Sequence, residues 1–210
     1  MTNHSGGPIT EFDVMFNKNP FGVAIYNAAS AFSYPSPGQT ARASIPCTID
    51  KKNLDAKNPP KFPFNIQTAL KSSLDLFYFE VPCYINCLLD FAHPMTREDF
   101  KKFWEMIPKA NETALSVDPL YPGFTQSGDV CASLIEGMKN NGFENLAKIQ
   151  KPDGQTTVLY FGAKTINNLP LLLEIAYSGG KSAQVLYKVP VLPLKPLLAE
   201  AIEHILARKE

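Results

Sequence analysis

The sequence predicts an α+β fold in two parts, with short antiparallel strands first and a helix-covered sheet after. Three observations carry that prediction. Apolar and polar residues alternate with a period of two in the first half, as at Phe12, Val14 and Phe16. A capped amphipathic helical segment opens at Thr96 and stops at Pro108. Apolar runs between residues 144 and 189 are then separated by turn-forming pairs or triplets.

In chain order, residues 12–16 form a strand with Phe12, Val14 and Phe16 on one face, Asn17, Lys18, Asn19 and Pro20 supply a turn, and residues 22–26 resume an extended pattern. Residues 33–40 are a loop of proline, glycine and serine. Residues 41–49 alternate again, with Ala43, Ile45 and Cys47 pointing inward. Beyond the polar, proline-rich residues 51–63, the segments 64–70 and 74–79 read as strands, the second running on through 84–89. Strands this short and this closely spaced predict an antiparallel sandwich.

The pattern changes after Asp90. Thr96 is suited to cap a helix over residues 97–107, with Glu98 and Asp99 favourably placed in its first turn and Pro108 ending it. A second helix is expected over 128–139, capped by Ser127 and closed by Asn140, Asn141 and Gly142. Strands are predicted over 144–150, 156–164, 169–177 and 183–189, with turns at Pro152-Asp153-Gly154, Asn167-Asn168 and Gly179-Gly180. A last helix over 195–208 gathers Leu198, Ala201, Ile202, Ile205 and Leu206 on one face. The boundary between the parts is expected at 88/89, giving a sandwich over residues 1–88 and an α+β subdomain over 89–210.

Composition narrows the function classes. Twenty basic and twenty acidic residues cancel, so no global field draws the chain to nucleic acid or to an anionic membrane. No apolar run approaches membrane-spanning length and no charged-then-apolar leader follows Met1, which predicts a soluble intracellular protein without direct membrane insertion. The cysteines Cys47, Cys83, Cys87 and Cys131 lack metal-ligand pairing and read as reduced, packed thiols. On one strand, Cys83 and Cys87 would lie about 13 Å apart, too far to bridge. His4, His93 and His204 fall in a tail, a turn and the last helix, and their spacing suggests no Cys/His nucleophile pair. No catalytic residue, metal site or cofactor is predicted.

Two features suggest a binding surface. At 100° per residue Phe100, Phe103 and Ile107 centre one stripe of the first helix, Arg97 and Lys101 lie a quarter-turn or more away, and Trp104 falls between the two sets. A boundary tryptophan is either core or an exposed aromatic anchor. In residues 169–177, Glu174 is the only charge. A three-residue loop, 166–168, would set Tyr160 directly opposite it on the same face. A carboxylate on an apolar sheet face requires an open face or a cationic partner.

The stretch Phe16, Asn17, Lys18, Asn19, Pro20, Phe21, Gly22 and the block from Asn65 to Glu112, which aligns without a gap, resemble the C-terminal appendage of the large β-adaptin subunit of clathrin adaptor complexes. The resemblance runs from about Thr10 to the end. It implies an immunoglobulin-like β-sandwich followed by a platform subdomain, and a protein-binding module rather than an enzyme. It implies that a platform groove binds short helical motifs of endocytic accessory proteins and cargo adaptors. Trp104 and Tyr160 would receive apolar side chains, Glu112 and Glu174 a ligand arginine, and Lys71 and Arg97 acidic ligand residues. A second peptide site on the sandwich would use Tyr78 and Lys18, with Tyr78 pointing outward between inward-facing Phe77 and Phe79.

The chain departs from the family pattern at Ile149, where the family carries a basic groove residue, and at Met15, where it carries a polar one. Residues 115–139 match weakly, and the chain begins where the family has already passed its first strands, so the sandwich is expected to be incomplete at its N-terminus. The implied partners are those peptide motifs, with clathrin as a further candidate, and the rest of an adaptor complex through the parent subunit. The implied location is cytoplasmic, peripheral to membranes at clathrin-coated pits or vesicles. The alternatives are the appendage of a related coat, such as a γ-adaptin ear or a coatomer subunit, and, from another class, a small hydrolase using Cys83 or Cys87 with His93.

Overall fold

The computed structural model describes residues 1–17, 22–26, 33–49 and 65–208. The chain is α+β and divides into two compact units, residues 1–83 and residues 84–210.

In the first unit, strands β1 (Asp13–Phe16), β4 (Asn65–Lys71) and β5 (Leu76–Pro82) form an antiparallel sheet in the order β1-β4-β5. Strands β2 (Val23–Ile25) and β3 (Cys47–Ile49) pair separately. Register puts Met15, Ala69 and Tyr78 in one cross-strand row and Asp13, Lys71 and Leu76 in the next, on the outward face. Val14, Leu70, Phe77 and Phe79 point to the other face. Ser72 accepts from the backbone N–H groups of Leu74 and Asp75, which closes the β4–β5 turn.

Four expectations for this unit are corrected. Residues 41–46 are irregular rather than strand, and Cys47–Ile49 pairs with β2. Ala43 and Cys47 stay exposed because the apolar side chains of this region line an open cleft of about 640 Å³, with Phe12, Val14, Phe16, Leu70, Phe79 and Val81 across it, instead of closing on one another. Strand β5 stops at Pro82, which has no N–H to continue a ladder, and a 3-10 turn (Ile85–Leu88) follows where a longer strand was expected. Cys83 and Cys87 therefore do not share a strand. None of the four cysteines is in a disulfide, but Cys47 and Cys87 are exposed rather than packed. The N-terminal residues are also not a loose tail. Asn3 is fully buried and donates to the carbonyls of Gly7 and Pro35, both at 2.8 Å. The expected turn at Lys18 and the proline-rich residues 51–63 lie outside the described residues.

In the second unit, α1 (Arg97–Met106) precedes β6 (Glu112–Val117), the single turn α2 (Pro122–Thr125), α3 (Val130–Asn140), β7 (Glu144–Gln150), β8 (Thr157–Lys164), β9 (Pro170–Tyr177), β10 (Ala183–Lys188) and α4 (Leu194–Ala207). The strands form one antiparallel sheet in the order β6-β10-β9-β8-β7. Leu172 packs with Met95, Phe100 and Ile107 under α1. Its neighbours Leu171 and Leu173, on the opposite face by the strand's alternation, are fully buried. There α3 packs on β7 and β8, α4 packs on β6 and α3, and the helices bring buried Leu134, Met138, Leu198 and Ile202.

The turns follow their chemistry. Asp153 accepts from the N–H groups of Gln155 and Thr156, and Asn168 takes the left-handed conformation (φ 66°) that Asn tolerates. The second helix begins at Val130 rather than 128, because Asp129 is its cap and accepts from Ala132 N–H at 3.0 Å. Ser127 donates instead to the Phe124 carbonyl. Strand β6 and the turn α2 were not anticipated. Ala114 and Ser116 of β6 are exposed, so this edge strand lacks a strong apolar signature.

Candidate functional site

Helix α1 is fixed over one end of the sheet by three local devices. Thr96 caps it, with its hydroxyl oxygen accepting from Asp99 N–H at 3.1 Å. Lys164 of β8 donates to Asp99 at 2.6 Å, a bond that holds the Asp99 carboxyl below its usual range. Gly162 of β8 leaves room for Met95, since a Cβ there would fall 2.4 Å from the methionine sulfur. Removing the cap with Thr96→Ala is expected to cost about 1 kcal/mol of stability in denaturant unfolding, and Thr96→Ser to restore most of it.

The helix covers the row Glu112, Lys188, Leu172, Gly162 and leaves the next row, Ala114, Leu186, Glu174, Tyr160, Ala147, more open. Phe100 is buried, whereas Phe103 and Trp104 are only partly so. Phe100 stacks on Trp104 with centroids 5.2 Å apart. Tyr160 meets both rings edge-on, at 5.9 Å from Phe100 and 6.5 Å from Trp104. The three rings form one aromatic wall whose outer member is Trp104.

Tyr160 and Glu174 are direct cross-strand partners. Burial pushes the Tyr160 phenol above its ordinary pKa, and the Glu174 carboxylate adds to this by its charge and by accepting the phenol's hydrogen bond. Among the described residues, no lysine or arginine forms an ion pair with Glu174. Glu112 differs. Its carboxylate lies 3.5 Å from Lys188 Nζ, which donates to the Trp104 carbonyl at 3.0 Å and sits 4.7 Å from the centre of the Trp104 ring. Lys195 Nζ also donates to the carbonyls of Ala110 and Glu112, and Asn111 donates to those of Val189 and Pro190, which fixes the approach to β6.

The structure thus brings together Trp104, Tyr160, Glu112 and Glu174, with Arg97 exposed on α1. Lys71 is on the first unit, on the outward face of β4 that also carries Tyr78 and Met15. Tyr78 is 76% exposed and borders a cleft of about 280 Å³ with Asn17, Gln67 and Glu80. Lys18 lies outside the described residues. Ile149, where a basic residue was the family expectation, is exposed on the α1-side face.

Lys188 was missed by the sequence reading. Its signal is the same as that of Glu174, a single charge in a strand whose alternate residues, Val185, Tyr187 and Val189, are core. A separate cleft of about 390 Å³ is lined by Tyr121, Phe124, Gly137, Asn141, His204 and Arg208. His93 is exposed and bonded to Asp90 at 2.9 Å. Among the described residues, no group of three or more His, Cys, Asp or Glu is arranged to hold a metal ion, and no helix is long and apolar enough to cross a membrane.

A five-stranded antiparallel sheet with a helix packed on it is consistent with the platform subdomain that the resemblance implies. Residues 92–206 match the family model for the beta2-adaptin appendage, C-terminal sub-domain, so the chain belongs to that family. It is similar to the AP-1 complex subunit beta-1 of Homo sapiens, at 29% identity over 184 residues covering 86% of this chain and 18% of the relative. It is also similar to the AP-1 complex subunit beta of Dictyostelium discoideum, at 24% identity over 178 residues, covering 85% of this chain and 18% of that protein. The mouse AP-1 complex subunit beta-1 is 26% identical over 205 residues, 98% of this chain and 20% of the relative. The chain therefore spans about a fifth of the length of these curated relatives.

Proposed function

We propose that this protein is the peptide-binding module of a clathrin adaptor β subunit, recruiting helical motifs of accessory proteins and cargo adaptors to a cytoplasmic vesicle coat. It works by helix-in-groove recognition and performs no chemistry. The observation that carries this reading is the half-buried Trp104 ring at the rim of an aromatic wall, beside a Glu174 that has no ion-pair partner among the described residues. An amphipathic helix lays apolar residues against Trp104 and Tyr160 and an arginine towards the acidic side chains. Arginine suits this role better than lysine because its planar fork matches a carboxylate.

Two or three buried apolar anchors contribute roughly 1.5 to 3 kcal/mol each before ordering costs. Micromolar affinity, about 8 kcal/mol, is the result expected. Sites of that strength gain avidity when several appendages are held in one coat. The test is calorimetric titration of a helical peptide with spaced Phe, Leu and Arg. Binding near micromolar, weakened when the arginine is changed to glutamate and partly restored by Glu174→Lys, supports the reading, and binding indifferent to that reversal contradicts it.

A second reading concerns the first unit, where Tyr78 stands exposed beside its small cleft with Lys71 on the same face. We assign it a separate extended-peptide site. Tyr78→Ala is expected to weaken one subset of ligands captured by the protein, to leave platform peptides unchanged in calorimetry, and to leave the melting temperature within a degree or two, as for an exposed side chain.

A further inference from the structure

The cleft of about 390 Å³ at the ends of α3 and α4 is shaped by two glycines. A Cβ on Gly137 of α3 would fall 2.7 Å from the Phe124 ring, and one on Gly123 of α2 would collide with the Tyr121 ring, so each glycine makes room for one aromatic wall. The two rings meet edge-on at 5.6 Å. The backbone of Tyr121 ties it to α4, because its N–H donates to the Leu206 carbonyl at 2.7 Å. On the same helix His204 stacks on Tyr84, with centroids 4.0 Å apart.

Arg208 closes α4 in the left-handed conformation (φ 45°), with its N–H donating to the His204 carbonyl at 3.1 Å. Its guanidinium carbon lies 4.0 Å from the centre of the Tyr121 ring. A guanidinium laid on an aromatic face keeps its N–H groups for acceptors in its own plane. Among the described residues, no Asp or Glu forms an ion pair with it.

We propose that this cleft binds an extended acidic peptide, with a carboxylate on Arg208 and a neighbouring apolar side chain against Tyr121 and Phe124. The planar fork of arginine matches a carboxylate in two parallel hydrogen bonds. The cleft is at the small end of ligand sites, so it receives one or two side chains rather than a helix. It is lined from α2, α3 and α4 rather than from α1, and its occupation does not depend on the surface at Trp104. An anionic membrane is the less favoured partner, because such surfaces are held by clusters of about four to eight basic residues. Here Glu200 and Glu203 share the last turns of α4 with His204, and the positive charge of the cleft rests on Arg208.

The experiment titrates the blocked peptide Gly-Leu-Glu-Gly, with Gly-Leu-Gln-Gly as control, into the isotopically labelled protein. Amide shifts are expected at Gly123, Gly137 and Arg208, with the Trp104 indole resonance unmoved. The glutamate peptide should bind about fivefold more tightly than the glutamine one, the upper end for one exposed ion pair. Arg208→Gln should abolish that preference and Arg208→Lys retain only part of it, since an ammonium lacks the fork. Gly123→Ala should weaken both peptides by displacing the Tyr121 ring without altering any charge. Arg208 is exposed at a helix end, so its variants keep the fold.

The assignment is overturned if neither peptide shifts these amides, if both bind equally, or if the glutamate preference survives Arg208→Gln. Sedimentation with phosphatidylserine vesicles that Arg208→Gln abolishes, without any peptide preference, would assign Arg208 to a membrane surface and equally overturn it. Failure of the helical Phe/Leu/Arg peptide to bind would count against the function proposed above and leave these outcomes untouched.

Discussion

Trp104→Ala is expected to weaken the helical peptide by about 2 kcal/mol or more, the scale of an interface hot spot, while the circular dichroism of the protein stays that of a folded chain. The ring is well placed for that outcome. Phe100 stacks behind it, Tyr160 meets it edge-on and Lys188 lies on its face, so its orientation is fixed before a ligand arrives. Preorganisation of this kind spares the ordering cost that an exposed side chain would otherwise incur on binding. Truncation removes the anchor but keeps the backbone carbonyl to which Lys188 donates. The stability cost is then the partly buried ring and its cation–π contact, the latter about 0.5 to 2 kcal/mol. Unchanged affinity in calorimetry, or loss of the folded signal, would show that the tryptophan is core and that the groove lies elsewhere.

Phe100→Ala should do the opposite, destabilising the protein by about 3 to 5 kcal/mol in denaturant unfolding, as large-to-small substitution of a buried aromatic does. Phe100 is one turn before Trp104 on the same helix, yet it is buried against Met95, Ile107 and Leu172 and supports both other rings. Its removal leaves a cavity between α1 and the sheet and takes away the surface on which Trp104 stacks. Against a total stability of roughly 5 to 15 kcal/mol for a typical domain, that loss is a large fraction. Binding should also fall, through the unfolded population and through the lost preorganisation of the Trp104 ring. If Phe100→Ala left stability within about 1 kcal/mol of the parent, α1 would not be held to the sheet as described.

The contrast between these neighbours is legible in the sequence. Helical spacing puts Phe100 in the centre of the apolar stripe and Trp104 at its edge, and burial follows that order. The pairing of Tyr160 with Glu174 was equally accessible, because a three-residue loop at 166–168 fixes the register of β8 on β9 and alternation does the rest. Strands β7 to β10 were readable for the same reasons, since each has a clear period and a turn whose chemistry marks its end.

What the sequence hid depends on distance or on weak amphipathic contrast. Lys188 and Glu112 are far apart in the chain and meet only because β10 pairs with β6, whose half-exposed residues gave no strand signal. The buried Asn3 depends on carbonyls at Gly7 and Pro35, a loop pairing that periodicity does not register. Residues 41–46 show the converse failure. Their alternation is real, but alternation makes a strand only where a partner edge and a filled apolar face are present. The apolar cleft left the second condition unmet.

Chemical-shift mapping of the isotopically labelled protein during titration with the helical Phe/Leu/Arg peptide shows whether the open sheet face beside Trp104 is a peptide site. Shifts are expected to concentrate on the indole N–H of Trp104, on the amides of Tyr160 and Glu174, and along the exposed side of α1, saturating together at one stoichiometric site. Shifts confined to the cleft around Tyr121 and His204 or to the outward face at Tyr78, with the Trp104 indole resonance unmoved at saturation, would contradict it.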